Sequence, residues 1–121
     1  MKSSKVLVAD DEPGIRSLIV DALSRYGHEV HCAENGIDAI IELSHSRFDV
    51  VFLDIRMPKG DGLTTLKEIR KQWPGIKVIM ITGYAQSEMV DKSMDLGSIA
   101  CLIKPFSMRD VISMLELSEV A

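Results

Sequence analysis

The sequence has no excess of basic residues and no long apolar run. Its 14 Lys and Arg residues are outnumbered by 18 Asp and Glu residues, which leaves a net charge of -4. Direct binding to nucleic acid is therefore disfavoured, because no basic field would attract phosphates. Residues 1–5 carry charge and serine, and the apolar run from Val6 to Ala9 is far too short for a signal peptide or a membrane span. We expect a cytoplasmic protein whose partners are other proteins.

Cysteine and histidine are also scarce, and neither shows a metal-ligand spacing. Cys32 and Cys101 are the only cysteines and lie far apart, which is typical of reduced structural thiols. The three histidines, His28, His31 and His45, have no cluster of cysteines or carboxylates around them. We interpret them as surface or strand-edge residues.

What the sequence does contain is a set of strand-like segments within a length of 121 residues, which suits one domain spanning residues 1–121. Four short apolar runs, rich in Val and Ile, are typical of strands buried on both faces of a parallel sheet. They are Lys5 to Ala9, Asp49 to Leu53, Ile76 to Ile81 and Ser98 to Ile103. A fifth segment, Glu29 to Ala33, alternates polar and apolar residues, which predicts an edge strand.

Helical periodicity fills the gaps between these strands. The first helix has Pro13 in position for its first turn and Gly27 in position to end it. The other apolar stripes run from Ile37 to Leu43, from Leu63 to Ile69, from Ala85 to Leu96 and from Val111 to Leu115. The alternation predicts an α/β fold with a doubly wound parallel sheet covered by helices on both faces. Five strands fit the flavodoxin-like order 2-1-3-4-5 better than the six-stranded dinucleotide-binding order.

Polar residues follow four of the predicted strands. Asp10, Asp11 and Glu12 come after the first strand, Asp54 after the third, Thr82 and Gly83 after the fourth, and Lys104 after the fifth. The site of such a sheet lies outside the carboxyl ends of the strands, where the strand order reverses, so the three aspartates should converge. Carboxylates that close together need a proton or a cation between them. Oxygen ligands select Mg2+ first and Mn2+ next.

An aspartate such as Asp54 is a competent nucleophile toward phosphorus. Lys104, the Thr82 hydroxyl and the Gly83 backbone N–H are able to stabilise the charge that develops on a transferred phosphoryl group. Taken singly, Asp10 or Asp11 would be a helix cap or turn residue, Thr82 a loop hydroxyl and Lys104 a solvated charge. Their joint placement favours phosphoryl transfer to a protein carboxylate.

The same residues resemble the receiver domains of two-component response regulators. The resemblance covers essentially the whole chain and depends on four motifs taken together, namely Asp10-Asp11-Glu12, the segment from Asp54 to Gly62, Thr82-Gly83-Tyr84 and Lys104-Pro105-Phe106. It implies that Asp54 is the phosphoacceptor, with Asp11 a direct Mg2+ ligand and Asp10 a ligand largely through water. The carbonyl oxygen of Arg56 would be a third protein ligand.

The resemblance also implies how the phosphoryl group is held. Thr82 and Lys104 would grip it, Thr82 would move inward after phosphorylation, and the Lys104-Pro105 peptide bond would be cis. Two departures stand out. Cys101 occupies a position where the family usually has an aromatic ring that follows the threonine, and Gly60 replaces a bulky residue, which predicts a looser loop.

Arg56 and Tyr84 resemble the positions that control how easily water reaches the acyl phosphate. Large side chains at both positions predict a phosphorylated form that persists for minutes or longer. Ordinary solvent-facing loop residues are the alternative.

The partners implied by the resemblance are a sensor histidine kinase or a histidine phosphotransfer protein upstream, and an effector domain or protein downstream. The fourth helix, fifth strand and fifth helix would form the output or homodimer surface. We interpret the chain as a free-standing receiver or as the N-terminal part of a larger regulator.

Three other functions fit the sequence less well. A phosphatase of the haloacid dehalogenase class needs a second aspartate where this chain has Arg56. A flavodoxin-like cofactor binder needs a first loop rich in Ser, Thr and Gly, whereas Asp10-Asp11-Glu12 would repel a phosphate. A degenerate receiver that acts only as a protein-interaction module is disfavoured because every catalytic position is filled. We expect a regulator that assists its own phosphorylation and dephosphorylation, not an enzyme for a separate metabolite.

Overall fold

Strands and helices alternate from end to end of the described chain, as the sequence predicts. The computed structural model describes residues 3–83 and 88–120. The elements are β1 (Lys5–Ala9), α1 (Pro13–Ser24), β2 (Glu29–Ala33), α2 (Gly36–His45), β3 (Val50–Asp54), α3 (Gly62–Gln72), β4 (Lys77–Thr82), α4 (Glu88–Asp95), β5 (Ala100–Ile103) and α5 (Met108–Val120). All strand pairs are parallel and the order is β2-β1-β3-β4-β5, so the predicted flavodoxin-like sheet is confirmed.

Local sequence signals explain where the helices begin. Pro13 stands at the start of α1, where its missing N–H is no loss. The side chain of Asn35 accepts a hydrogen bond from the backbone N–H of Asp38 and caps α2. Asp61 caps α3 in the same way, accepting from the backbone N–H of Thr64. The predicted helix from Ala85 is described only from Glu88 onward, because residues 84–87 lie outside the described part of the chain.

Two apolar layers lie on opposite faces of the sheet, because successive strand residues point to opposite sides. On one face, Leu7, Val51 and Met80 pack with α2, α3 and the inner residues of α4. On the other face, Phe52 and Ile79 belong to a second cluster with residues of α1 and α5. The three central strands are therefore covered on both sides, which explains their uninterrupted apolar sequences.

The two edges of the sheet differ from the centre. Strand β2 is an edge strand, as its alternating sequence predicts. Strand β5 was expected to be buried on both faces, and this expectation is wrong, since Leu102 is its one buried residue and Ile103 is exposed. The physical reason is that β5 has a neighbouring strand on one side only. Cys101 is half-buried there, and both Cys101 and Cys32 are free thiols.

One histidine is buried at the edge of the sheet. His28 directly precedes the edge strand β2, and its Nδ1 accepts a hydrogen bond of 3.0 Å from the backbone N–H of Ser4, so of the two expected positions it has the strand-edge one. Within the described residues, no helix has both the length and the apolar character needed to cross a membrane.

Candidate functional site

The carboxyl ends of four strands meet at one edge of the sheet and carry the polar residues singled out in the sequence. Asp10 follows β1, Asp54 ends β3, Thr82 ends β4 and Lys104 follows β5. Asp54 is paired in register with Ile81, the residue before Thr82. Asp54 and Thr82 are thus the last residues of their strands instead of the first residues of loops, which fixes their backbone in the sheet.

The ammonium group of Lys104 lies between three carboxylates. Its Nζ is 2.5 Å from Oε1 of Glu12, 3.3 Å from Oδ2 of Asp10 and 3.4 Å from Oδ2 of Asp54. The structure therefore brings the predicted cation and two of the predicted aspartates together. The contact with Glu12 is a finding that sequence reasoning missed. Its only signal was the position of Glu12 directly after Asp10 and Asp11.

Four carboxylates form a group that could hold a divalent ion. Asp10, Asp11, Glu12 and Asp54 each offer an oxygen, and these oxygens lie within 4.8 Å of one another. Oδ2 of Asp10 is buried and accepts no hydrogen bond from the described residues, although Lys104 lies at ion-pair distance. A buried oxygen in that state is costly unless a ligand satisfies it. The all-oxygen donor set, and this buried oxygen that accepts no hydrogen bond, fit Mg2+ or Mn2+.

Burial and mutual repulsion act on the two inner carboxylates. Burial, and after it repulsion from Asp10, raises the pKa of Asp54 to about 7. Burial likewise raises the pKa of Asp10, against the opposing effects of the Glu12 backbone N–H and of Lys104. Burial alone would lower the pKa of Lys104, but the hydrogen bond to Glu12 and the charges of Asp54 and Asp10 raise it. The ammonium of Lys104 therefore stays charged. Its single positive charge does not neutralise both buried carboxylates.

Backbone N–H groups orient the inner carboxylates. Oδ1 of Asp10 accepts a hydrogen bond of 2.8 Å from the N–H of Glu12, and Oδ1 of Asp54 accepts one of 3.2 Å from the N–H of Arg56. In both residues the second oxygen, Oδ2, is left for Lys104. Arg16, which the sequence analysis did not single out, donates from its guanidinium to the carbonyl oxygen of Asp10 at 2.7 Å. The role of the Arg56 carbonyl as a metal ligand stays a prediction.

The end of β4 lies against Lys104. Thr82 is buried, and its carbonyl oxygen accepts a hydrogen bond of 2.8 Å from the backbone N–H of Lys104. Gly83 is exposed. Tyr84 lies outside the described residues, so its shielding role stays a prediction. The Lys104-Pro105 peptide bond is cis, and that expectation is confirmed.

The loop between β3 and α3 was expected to be loose because of Gly60, but it is tied to α2. The N–H of Gly36 donates to the carbonyl oxygen of Lys59 at 2.9 Å, and the hydroxyl of Thr65 donates to the carbonyl oxygens of Gly60 and Asp61. Gly60 has a φ of +68, and a Cβ on Gly36 would lie 2.1 Å from the Thr65 hydroxyl. The glycines thus permit a close approach of two backbones.

A family model described as the response regulator receiver domain matches residues 6–116. Sporulation initiation phosphotransferase F of Bacillus subtilis is 32% identical over 92% of this chain and 90% of its own length. Regulatory protein AtoC of Escherichia coli is 36% identical over 89% of this chain, which spans only 23% of AtoC. The crystal structure of the receiver domain of NtrX from Brucella abortus is 34% identical, with a TM-score of 0.90 over 96% of this chain and 99% of that one.

Proposed function

The chain belongs to the response regulator receiver domain family, and on that premise we propose that it accepts a phosphoryl group on Asp54 with the help of Mg2+, for which Mn2+ can substitute. The observation that carries the proposal is the position of Lys104, whose Nζ is 3.4 Å from Asp54 and 3.3 Å from Asp10. A fixed ammonium beside a buried carboxylate is what the transfer of an anionic group to that carboxylate requires.

In the proposed step, Oδ2 of Asp54 attacks phosphorus. The bond from phosphorus to the donor breaks, and the donor departs with the bonding electron pair. Lys104 then moves its hydrogen bond from Asp54 to an oxygen of the transferred group, while the Thr82 hydroxyl and the Gly83 N–H donate to the others. Mg2+, held by Asp10, Asp11, Asp54 and the Arg56 carbonyl, would supply the remaining positive charge.

The output belongs to the same proposal. Inward movement of Thr82 would alter the loop that leads into α4 and so the face formed by α4, β5 and α5, which would contact an effector or a second copy of the chain. The usual aromatic ring is absent from this face, where Cys101 is half-buried instead. The phosphoryl donor would be a sensor histidine kinase or a histidine phosphotransfer protein. The cytoplasmic location and the single-domain interpretation of residues 1–121 stay predictions.

The alternative is a degenerate receiver that acts only through protein contacts. It is disfavoured because the acceptor, the cation and the carboxylate group all lie at one edge of the sheet. Repulsion between the buried Asp10 and Asp54 destabilises the fold. A receiver that is not phosphorylated would gain nothing from keeping these two carboxylates side by side.

The test is phosphorylation with acetyl phosphate and Mg2+, followed by intact mass measurement. The wild-type protein should gain one phosphoryl group, and Asp54→Asn should gain none. Asp21→Asn, a matched change at an exposed position of α1, should behave as the wild type. Absence of any mass gain in the wild-type protein, or an equal gain in Asp54→Asn, would refute the proposal.

A further inference from the structure

Glu12 makes the shortest of the three contacts with Lys104, yet it is the most exposed of the carboxylates concerned. The Nζ to Oε1 distance is 2.5 Å, and the side chain of Glu12 is 58% exposed, against 0% for Asp10 and 5% for Asp54. The ammonium is therefore held from the solvent side of the site by a residue that keeps most of its hydration. Such a residue can turn away into water at little cost.

Within residues 3–83 and 88–120, the side chain of Glu12 makes no hydrogen bond other than the one with Lys104. Glu12 precedes α1 at the N-cap position, but its side chain makes no capping hydrogen bond. The backbone carbonyl oxygen serves the helix instead, accepting from the N–H groups of Ile15 and Arg16. A change of the Glu12 side chain should leave the start of α1 intact.

We propose that Glu12 is a positioning residue that binds Lys104 more closely than the acceptor does in the resting protein and competes with the phosphoryl group for it. The inference rests on the proposed function. A phosphoryl group on Asp54 brings close to two negative charges and three acceptor oxygens to the point where Lys104 has its weaker contacts, and these displace one exposed carboxylate. Glu12 thus sets a threshold for phosphorylation.

The same geometry gives Glu12 a second effect, on metal affinity. Its carboxylate belongs to the group whose oxygens lie within 4.8 Å of one another, so it adds negative charge that attracts a divalent ion. By holding Lys104, it also keeps a competing cation from moving closer to Asp10 and Asp54. Removal of the charge on Glu12 should weaken Mg2+ binding for both reasons.

The two effects have opposite signs, which makes the inference testable with Glu12→Gln. We expect the dissociation constant for Mg2+, measured by calorimetry on the unphosphorylated protein, to rise about 3- to 10-fold, as one charge at a partly screened site requires. At saturating Mg2+, the rate of phosphorylation by acetyl phosphate should rise about 3-fold or more, since Glu12 no longer holds the ammonium and one charge that repels the donor is gone. Thermal unfolding should show that the variant folds as the wild type does.

Glu34→Gln is the matched control. Glu34 lies just after β2 with its side chain 74% exposed and pairs with Arg16 at 3.9 Å, so the variant changes the net charge equally. Its Mg2+ affinity and phosphorylation rate should stay within about 2-fold of the wild type. Equal behaviour of Glu12→Gln and Glu34→Gln, or slower phosphorylation of Glu12→Gln at saturating Mg2+, would overturn the inference. Failure of the wild-type protein to accept a phosphoryl group would instead refute the proposed function.

Discussion

Replacement of the acceptor aspartate should stabilise the protein in the absence of metal. The pKa of Asp54 is raised from its ordinary value of 3.8 to about 7, chiefly by burial and then by repulsion from Asp10. Between these two pH values the folded protein binds more protons at this site than the unfolded chain does. The contribution of Asp54 to stability is therefore fully present below pH 3.8 and is lost as the pH rises to about 7. The side chain in Asp54→Asn has no proton to lose, so it stays uncharged at every pH of the experiment.

The size of the effect follows from the same shift. A difference of about three pH units corresponds to about 4 kcal/mol of unfolding free energy, at about 1.4 kcal/mol for each. This is an upper bound, because Asp54→Asn also removes a charged partner of Lys104 and because water relaxes around the site. We expect Asp54→Asn to be about 1 to 3 kcal/mol more stable than the wild type at pH 8, a rise in Tm of roughly 5 to 10 °C.

Urea unfolding at a series of pH values, with a chelator present, measures this directly. The free energy of unfolding of the wild type should fall between pH 4 and pH 7 more steeply than that of Asp54→Asn, and the two proteins should be nearly equal at pH 4. Asp21→Asn, at an exposed position of α1, should follow the wild-type curve. Parallel curves for the wild type and Asp54→Asn, or a less stable Asp54→Asn at pH 8, would show that burial of the acceptor charge is not the cause proposed here.

Three further predictions concern metal, packing and lifetime. Mg2+ at 100 times its dissociation constant should stabilise the wild type by about 2.7 kcal/mol at pH 8, and Asp54→Asn by clearly less. Thermal unfolding measures both gains in stability. Equal gains would contradict the metal site. Gly36→Ala should lower the unfolding free energy by about 1 to 3 kcal/mol, since its Cβ would lie 2.1 Å from the Thr65 hydroxyl. Gly14 has open space around it, so Gly14→Ala should be neutral or stabilising. The reverse order of stability would contradict the close approach at Gly36. Phosphate release from purified phosphoprotein should be faster in Tyr84→Ala than in the wild type, and an unchanged rate would remove the shielding role.

The sequence predicts the fold well where both faces of a strand are covered. β1, β3 and β4 lie in the middle of the sheet, so their apolar residues run without interruption, and β2 shows the alternation of an edge strand. The prediction for β5 is wrong because its apolar sequence resembles that of a central strand, although only Leu102 is buried. Composition reports how apolar a strand is, but the order of strands decides what covers it.

The candidate site was predictable in outline because the carboxyl ends of parallel strands meet at one edge. Local sequence could not predict contacts that depend on the placement of distant segments. Glu12 and Lys104 are 92 residues apart in the chain, and their ion pair becomes visible only when β1 and β5 are placed in the sheet. The contact of Gly36 with the loop before α3 is of the same kind, since it needs the close approach of two loops.

The four carboxylates at the edge of the sheet are buried to different extents, which suits them to different roles. Asp10 and Asp54 are both buried, so their charges must be balanced by Lys104 or by a bound cation, not by water. Asp11 and Glu12 are exposed and keep their hydration, so they can attract a divalent ion and release it at low cost. If all four acids were buried, their mutual repulsion would oppose folding. If all were exposed, water would solvate the acceptor carboxylate, and the phosphoryl group would be held less firmly during its transfer. On the proposed function, the difference in burial between the exposed Glu12 and the buried Asp54 lets one small cluster bind a cation reversibly and still present a single nucleophile.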